Sequence, residues 1–301
     1  MKYKKPPLDF EEQADLLLKR GLIANKQELV DLLKNVSYYR LSAYWYPFKN
    51  EDNNLKEGTS LEFIWTRYIF DRQIRILIID AIERFEVAIK TQITTLFSIE
   101  KKSPFAHIYQ NNYSETCNIV TLGDMIKIIR NEYHRSKEDF IEHFKKKYFD
   151  KEQPDLPLWM AMEIMSFGNV FTLYCMLEKH IQNKISAHFK IPPIVLKSWL
   201  QTMNYIRNLC AHHSRLWNRV LAIKPFIPRG SKHPEWHNPV RVELHQDRIF
   251  SVLTILRYIL SITAPKTLWK KRLTNLLEKH SKLLFFMGFP ENWEDSPIWK
   301  D

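Results

Sequence analysis

Glycine is scarce in this chain, with six in 301 residues. Sheet proteins need turn glycines at short intervals, so the shortage argues against a β-sandwich or barrel and for helices. Cysteine is scarce too: Cys117, Cys175 and Cys210 are the three, scattered and without a CxxC pair. That odd set excludes a disulfide framework and a thiolate zinc site. Long hydrophobic runs are missing. The longest apolar window, Val252 to Ala264, carries Arg257 and falls short of the roughly 20 residues a bilayer span needs. The start, Met1-Lys2-Tyr3-Lys4-Lys5-Pro6-Pro7, has no apolar stretch behind it and does not read as a signal peptide. The expectation is a cytoplasmic protein with no membrane contact.

Apolar residues are plentiful, at 45% with 13% aromatic, which suits a large core and excludes global disorder. The length fits one extended domain or two smaller ones. Lys and Arg number 45 against 34 Asp and Glu, a formal net charge of +11. Such a surplus suits a polyanionic partner, whose counterions are released on binding. It equally suits a basic soluble protein with no such partner.

Residues 1–58 read as an N-terminal helical unit. Asp9 caps a first helix that ends near Gly21, and a second runs from Lys26 to about Asn35. Tyr38-Tyr39-Arg40-Leu41-Ser42-Ala43-Tyr44-Trp45-Tyr46 then carries five aromatics in nine residues. With Arg40 beside them, rings such as Tyr44 either stack RNA bases or pack the unit against the body. The polar stretch 49–60 is a loop. Residues 59–301 form the main domain. From Leu61 to about Glu100, Phe70, Ile74, Ile78, Ala81, Phe85 and Ile89 recur at helical spacing, and Ile76 and Ile79 on the other side predict burial on more than one face. Asp71 and Arg75 are spaced to pair within that helix. A basic amphipathic helix is expected near 137–148. Leu158 to Leu177 is apolar and Met-rich, and Met162, Met165 and Met176 read as core filler. Pro192-Pro193 opens the next helix, the proline-rich segment 224–246 is a long loop that covers a site or merely connects, and 247–286 returns to helix.

Chemistry concentrates at Arg207-Asn208-Leu209-Cys210-Ala211-His212-His213. Read as one helix from 194 to about 218, the segment puts Asn208 and His212 on one face, with Arg207 about 140° from His212 around the axis but long enough to bend across. RNA cleavage by transesterification needs a base for the 2′-hydroxyl, an acid for the 5′-oxygen and a cation for the phosphorane. His212 suits base or acid, Arg207 suits the phosphorane oxygens. Asn208 suits fixing the imidazole tautomer or holding a phosphate oxygen. One copy supplies one such histidine, so two copies facing each other would supply both roles. His213, one position along, points elsewhere. Arg215, Trp217 and Arg219 either extend a cationic rim with a stacking surface or cap the helix. Arg-x4-His alone also occurs by chance, and the bland reading is a basic bundle whose motif merely ends a helix.

The stretch from Arg207 to Arg219 closely resembles the signature of the Abi-like family, the AbiD/AbiF-type abortive infection proteins of the HEPN superfamily. Gln13 to Leu22, Tyr39 to Tyr44, Asp71 to Arg75 with Ile82 to Glu86, and Leu158 to Gly168 resemble the family's other blocks, in family order over nearly the whole chain. The resemblance implies an all-α HEPN-type helical bundle with an N-terminal helical extension. It implies a cofactor-free, metal-independent endoribonuclease toxin of phage defence, leaving 2′,3′-cyclic phosphate ends. Catalysis would rest on Arg207, Asn208 and His212 of two protomers in a homodimer, with Glu83, Glu86 and Glu163 as supporting residues. RNA would be the substrate, and a small structured RNA an inhibitor or guide. The competing readings are a non-catalytic RNA-binding protein that uses the same basic motif as a phosphate grip, and a chain that is a substrate for nucleotide transfer from a neighbouring nucleotidyltransferase.

Overall fold

The computed structural model describes residues 6–148 and 155–300. Among them are twelve α-helices and no strands, only two isolated β-bridges, so the chain is all-α as its glycine shortage suggested.

Helix α1 (Phe10–Lys19) opens with a reciprocal cap. The Asp9 carboxylate accepts the Glu12 amide at 2.8 Å while the Glu12 carboxylate accepts the Asp9 amide at 2.9 Å. Asn25 caps α2 (Lys26–Asn35) through the Glu28 amide at 3.1 Å, and the two helices pack together. Helix α3 (Tyr38–Trp45) divides the aromatic block between its two faces. Tyr44 and Trp45 are buried, whereas Tyr39 and Tyr46 stand exposed. Packing therefore accounts for the buried pair.

Helix α4 (Leu61–Lys101) is the axis of the molecule, 41 residues and about 60 Å long at 1.5 Å per residue. Helices α3, α7, α8, α9, α10, α11 and α12 all pack on it. Phe70, Ile74, Ile78, Ala81, Phe85, Ile89, Ile93 and Phe97 form its buried stripe. The expectation for Ile76 and Ile79 fails: they are 48% and 39% exposed, because none of the described helices covers the side that also carries Val87.

Between residues 101 and 157 lie α5 (Ile119–Arg135), which sequence reading did not isolate, and the basic α6 (Asp139–Tyr148). The Met-rich stretch forms two helices, α7 (Leu158–Ile164) and α8 (Phe167–Met176). Met165 turns extended between them, and the Ser166 hydroxyl accepts the Asn169 amide at 3.3 Å to start α8. Met162, Met165 and Met176 are buried as core filler. Helix α9 (Lys179–His188) precedes α10 (Pro193–Ala211), which Pro192 and Pro193 open. Segment 224–246 wraps the start of α10. Its Trp236 packs on Trp199, whose indole donates to the Phe226 carbonyl at 2.7 Å, so this loop does not lie over the chemistry-bearing end. Helices α11 (Ile249–Thr263) and α12 (Trp269–Lys279) complete the bundle. Among the described residues no helix is long and apolar enough to cross a membrane.

Candidate active site

Val195, Leu196, Trp199, Leu200, Met203, Ile206 and Cys210 recur at three and four residues and turn inward, which holds α10 against α4 and α8. Burial pushes the Cys210 thiol up to about 12, so it is an inert core residue. The same periodicity leaves Arg207, Asn208 and His212 exposed. The His212 amide donates to the Asn208 carbonyl at 3.0 Å, one helical turn apart, so these two residues share a face as their spacing requires. No protein group hydrogen-bonds the side chains of Arg207, Asn208 or His212 among the described residues.

The helix does not run to 218. It stops at Ala211, because His213 takes a left-handed backbone with φ of 56°. The His213 amide then donates to the Cys210 carbonyl at 3.0 Å and the Ser214 amide to the Leu209 carbonyl at 2.8 Å. These two bonds are the Schellman ending of a helix, with histidine where glycine is usual. The chain beyond it folds back into the body.

Asp71 receives that returning tail. The carboxylate is fully buried, and its Oδ1 accepts the amides of Leu216 at 3.0 Å and Trp217 at 2.6 Å. Its Oδ2 accepts the Tyr44 hydroxyl at 2.6 Å and pairs with Arg75. Burial pushes the carboxyl above the ordinary range, while Arg75, Tyr44 and the two amides pull the other way. Every partner is a donor, which only the ionised carboxylate satisfies in full. Burial likewise raises the Tyr44 hydroxyl, so it stays protonated and donating. Arg75 also reaches the Ser214 carbonyl at 3.4 Å.

Two more arginines clamp the tail to the N-terminal unit. Arg40 donates to the His213 carbonyl at 2.7 Å, and Arg215 donates to the Ala43 carbonyl. Arg219 turns back on the Arg215 carbonyl at 2.6 Å. Burial, then the neighbouring Arg219, lowers the Arg215 guanidinium from its usual value. The RNA-contact expectation for Tyr44 and Trp217 is overturned. Trp217 is fully buried, stacked near Tyr44 at 6.4 Å and Phe48 at 6.3 Å, and offers no ring to a base. Arg40, Arg215 and Arg219 bind main-chain carbonyls. His213 is exposed, turned out of the helix by its own backbone.

Glu83, Glu86 and Glu163 do come together, along a groove of about 350 Å³ between α4 and α7 that also holds Lys90 and Trp159. Glu86 pairs with Lys90 at 3.0 Å. Arg207, Asn208 and His212 do not line that groove, and no three His, Cys, Asp or Glu converge as metal ligands among the described residues. Sequence reading paired Asp71 with Arg75 but missed that the carboxylate anchors residues 145 and 146 positions away. The available signal was an acid placed on the buried stripe of α4.

The chain matches the family model for Abi-like proteins over residues 31–218, from α2 through the folded-back tail. No curated protein and no solved structure gives a significant match. With well over half its length inside that match, the chain belongs to the Abi-like protein family.

Proposed function

We propose that the chain is a metal-independent endoribonuclease of the HEPN type that acts as a toxin in abortive infection. Membership of the Abi-like family supports the role in abortive infection. One observation carries the nuclease reading. The last turn of α10 and its C-cap present a guanidinium, a carboxamide and an imidazole at the surface, none engaged by another group among the described residues, just before a tail pinned from both sides.

In this reading His212 takes the proton from a ribose 2′-hydroxyl, and the 2′-oxygen attacks phosphorus. Arg207 stabilises the charge that builds on the phosphorane oxygens, and Asn208 holds one of them or the imidazole tautomer. The bond from phosphorus to the 5′-oxygen breaks, leaving a 2′,3′-cyclic phosphate and a 5′-hydroxyl. A second His212, from a second copy, protonates that leaving oxygen. Glu83, Glu86 and Glu163 line a groove that Arg207, Asn208 and His212 do not share, so this reading gives them no step in the cleavage. A structured RNA partner that covers the exposed trio would hold the enzyme inactive.

Incubating labelled RNA with purified protein in EDTA tests this directly. Cyclic phosphate ends are expected, and His212→Ala should slow their formation by about 10²–10⁴-fold, the usual worth of an acid or base. Cleavage that needs Mg²⁺ and survives the substitution refutes the proposal. So does salt-sensitive RNA binding with no turnover, which would return the motif to a phosphate grip.

A further inference from the structure

Away from the motif, the start of α4 and the turn after α12 enclose a cleft of about 620 Å³. Arg67 lines it and is only 8% exposed, yet no carboxylate pairs with it among the described residues. Its Nη1 donates to the Phe63 carbonyl at 2.7 Å, and its Nε is buried without a partner. The guanidinium lies over the Phe63 ring at 3.2 Å, with Phe48 at 5.1 Å and Trp217 at 5.5 Å. Ring faces offset part of the cost of burying a cation, but an unpaired buried charge remains expensive. Burial alone draws this guanidinium down to about 10.

The opposite wall repeats the imbalance. Lys279 and Lys282 line the cleft with no ion-pair partner among the described residues, and Glu62 is the single acid there. Hydroxyls of Ser60, Thr66 and Ser281 line it too, with the His280 ring and Leu283, at the positive end of α4. Three cations and three hydroxyls against one carboxylate form a receptor for an anion rich in acceptor oxygens. The volume exceeds what a bare ion needs and falls in the range of small-molecule sites.

We infer that the cleft between Arg67 and the Lys279–Lys282 turn binds a phosphate group, carried by a small phosphate or nucleotide or by an RNA backbone. This site is independent of the cleavage reading, since Arg207, Asn208 and His212 take no part in it. Arg67 also stands over the Trp217 ring of the returning tail, one turn of α4 before Asp71, so an occupant would sit beside the residue that Asp71 anchors.

Calorimetric titration of the full chain at matched ionic strength tests the inference. The probes are inorganic phosphate, AMP and a 2′-O-methyl oligoribonucleotide that cannot be cleaved. Lys279→Ala/Lys282→Ala alters only exposed side chains, and Arg67→Met is the second variant. Loss of a charge-assisted contact should weaken the responsible probe by about tenfold or more. Sensitivity to phosphate or AMP identifies a small ligand, and sensitivity to the oligomer alone identifies the RNA backbone. Either supports the site. The inference is overturned if wild type binds none of the probes or if the lysine variant binds all as tightly as wild type. Equal loss of phosphate or AMP binding in the charge-matched Lys146→Ala/Lys147→Ala also overturns it.

Discussion

Replacing Asp71 by Asn is the sharpest test of how the motif is held. The carboxylate accepts from four donors and is the one acid paired with Arg75 among the described residues, Arg75 itself being 5% exposed. Asparagine keeps the shape but retains one acceptor oxygen. Its amide group points donors either at Tyr44 and Arg75 or at the Leu216 and Trp217 amides. Breaking a buried pair from one side costs about 3–5 kcal/mol, chiefly because the surviving charge is left uncompensated. Urea denaturation should show a loss of that size at an unchanged slope. Trypsin should also cut at Arg215 and Arg219 in Asp71→Asn under native conditions, since the Leu216 and Trp217 amides between them are tied to this carboxylate. The double variant Asp71→Leu/Arg75→Leu removes both charges and should recover much of the lost stability. Stability within about 0.5 kcal/mol of wild type for Asp71→Asn, the range of an ordinary surface change, would falsify the anchoring role.

Other sites give independent checks. His107 is 1% exposed, and burial lowers it to about 4 from an ordinary 6.5. The unfolded chain therefore binds the extra proton first, and stability present above pH 6.5 is lost as pH falls towards 4. The loss should reach about 3 kcal/mol and vanish in His107→Phe, measured by denaturation midpoints at several pH values. Gly288 has φ of +80°, and a Cβ there would lie 2.4 Å from the Arg248 Cβ and 2.6 Å from its Cγ. Thermal unfolding of Gly288→Ala should report a cost of at least about 1–2 kcal/mol, and a neutral result would mean the turn can move. At His213, φ of 56° makes a β-branched residue costly. His213→Val should lose about 1–2 kcal/mol while His213→Gly stays within about 1 kcal/mol of wild type, compared in the same assay.

Local chemistry made much of the fold legible. Asp9 with Glu12 and Asn25 with Glu28 announce the starts of α1 and α2, and the spacing of Phe70 to Ile93 announces α4. The end of α10 was not legible, because the left-handed position that stops it holds His213 and not glycine. The tail's course depends on Asp71, far away in sequence, and no periodicity encodes such a contact. Ile76 and Ile79 misled for the converse reason: apolar residues on a second face imply a neighbour only when the bundle supplies one. Of the candidate site, the shared face of Asn208 and His212 follows from helical spacing and holds. Tyr44 and Trp217 have the chemistry of base-stacking groups, but their burial is a property of the packed whole. A second copy, which the acid-plus-base argument requires, is outside what one chain's pattern can encode.

The clamp between Arg40 and Arg215 grips peptide oxygens, those of His213 and Ala43, and no side chain on the far side. Every amino acid owns such an oxygen, so the clamp itself reads no side chain at positions 43 and 213, where only the left-handed backbone of 213 and the packing of Ala43 restrict the choice. The two guanidinium groups have no such latitude, since an ammonium lacks their planar reach. Trimming away the first forty-odd residues would thus unhinge the very turn that closes α10.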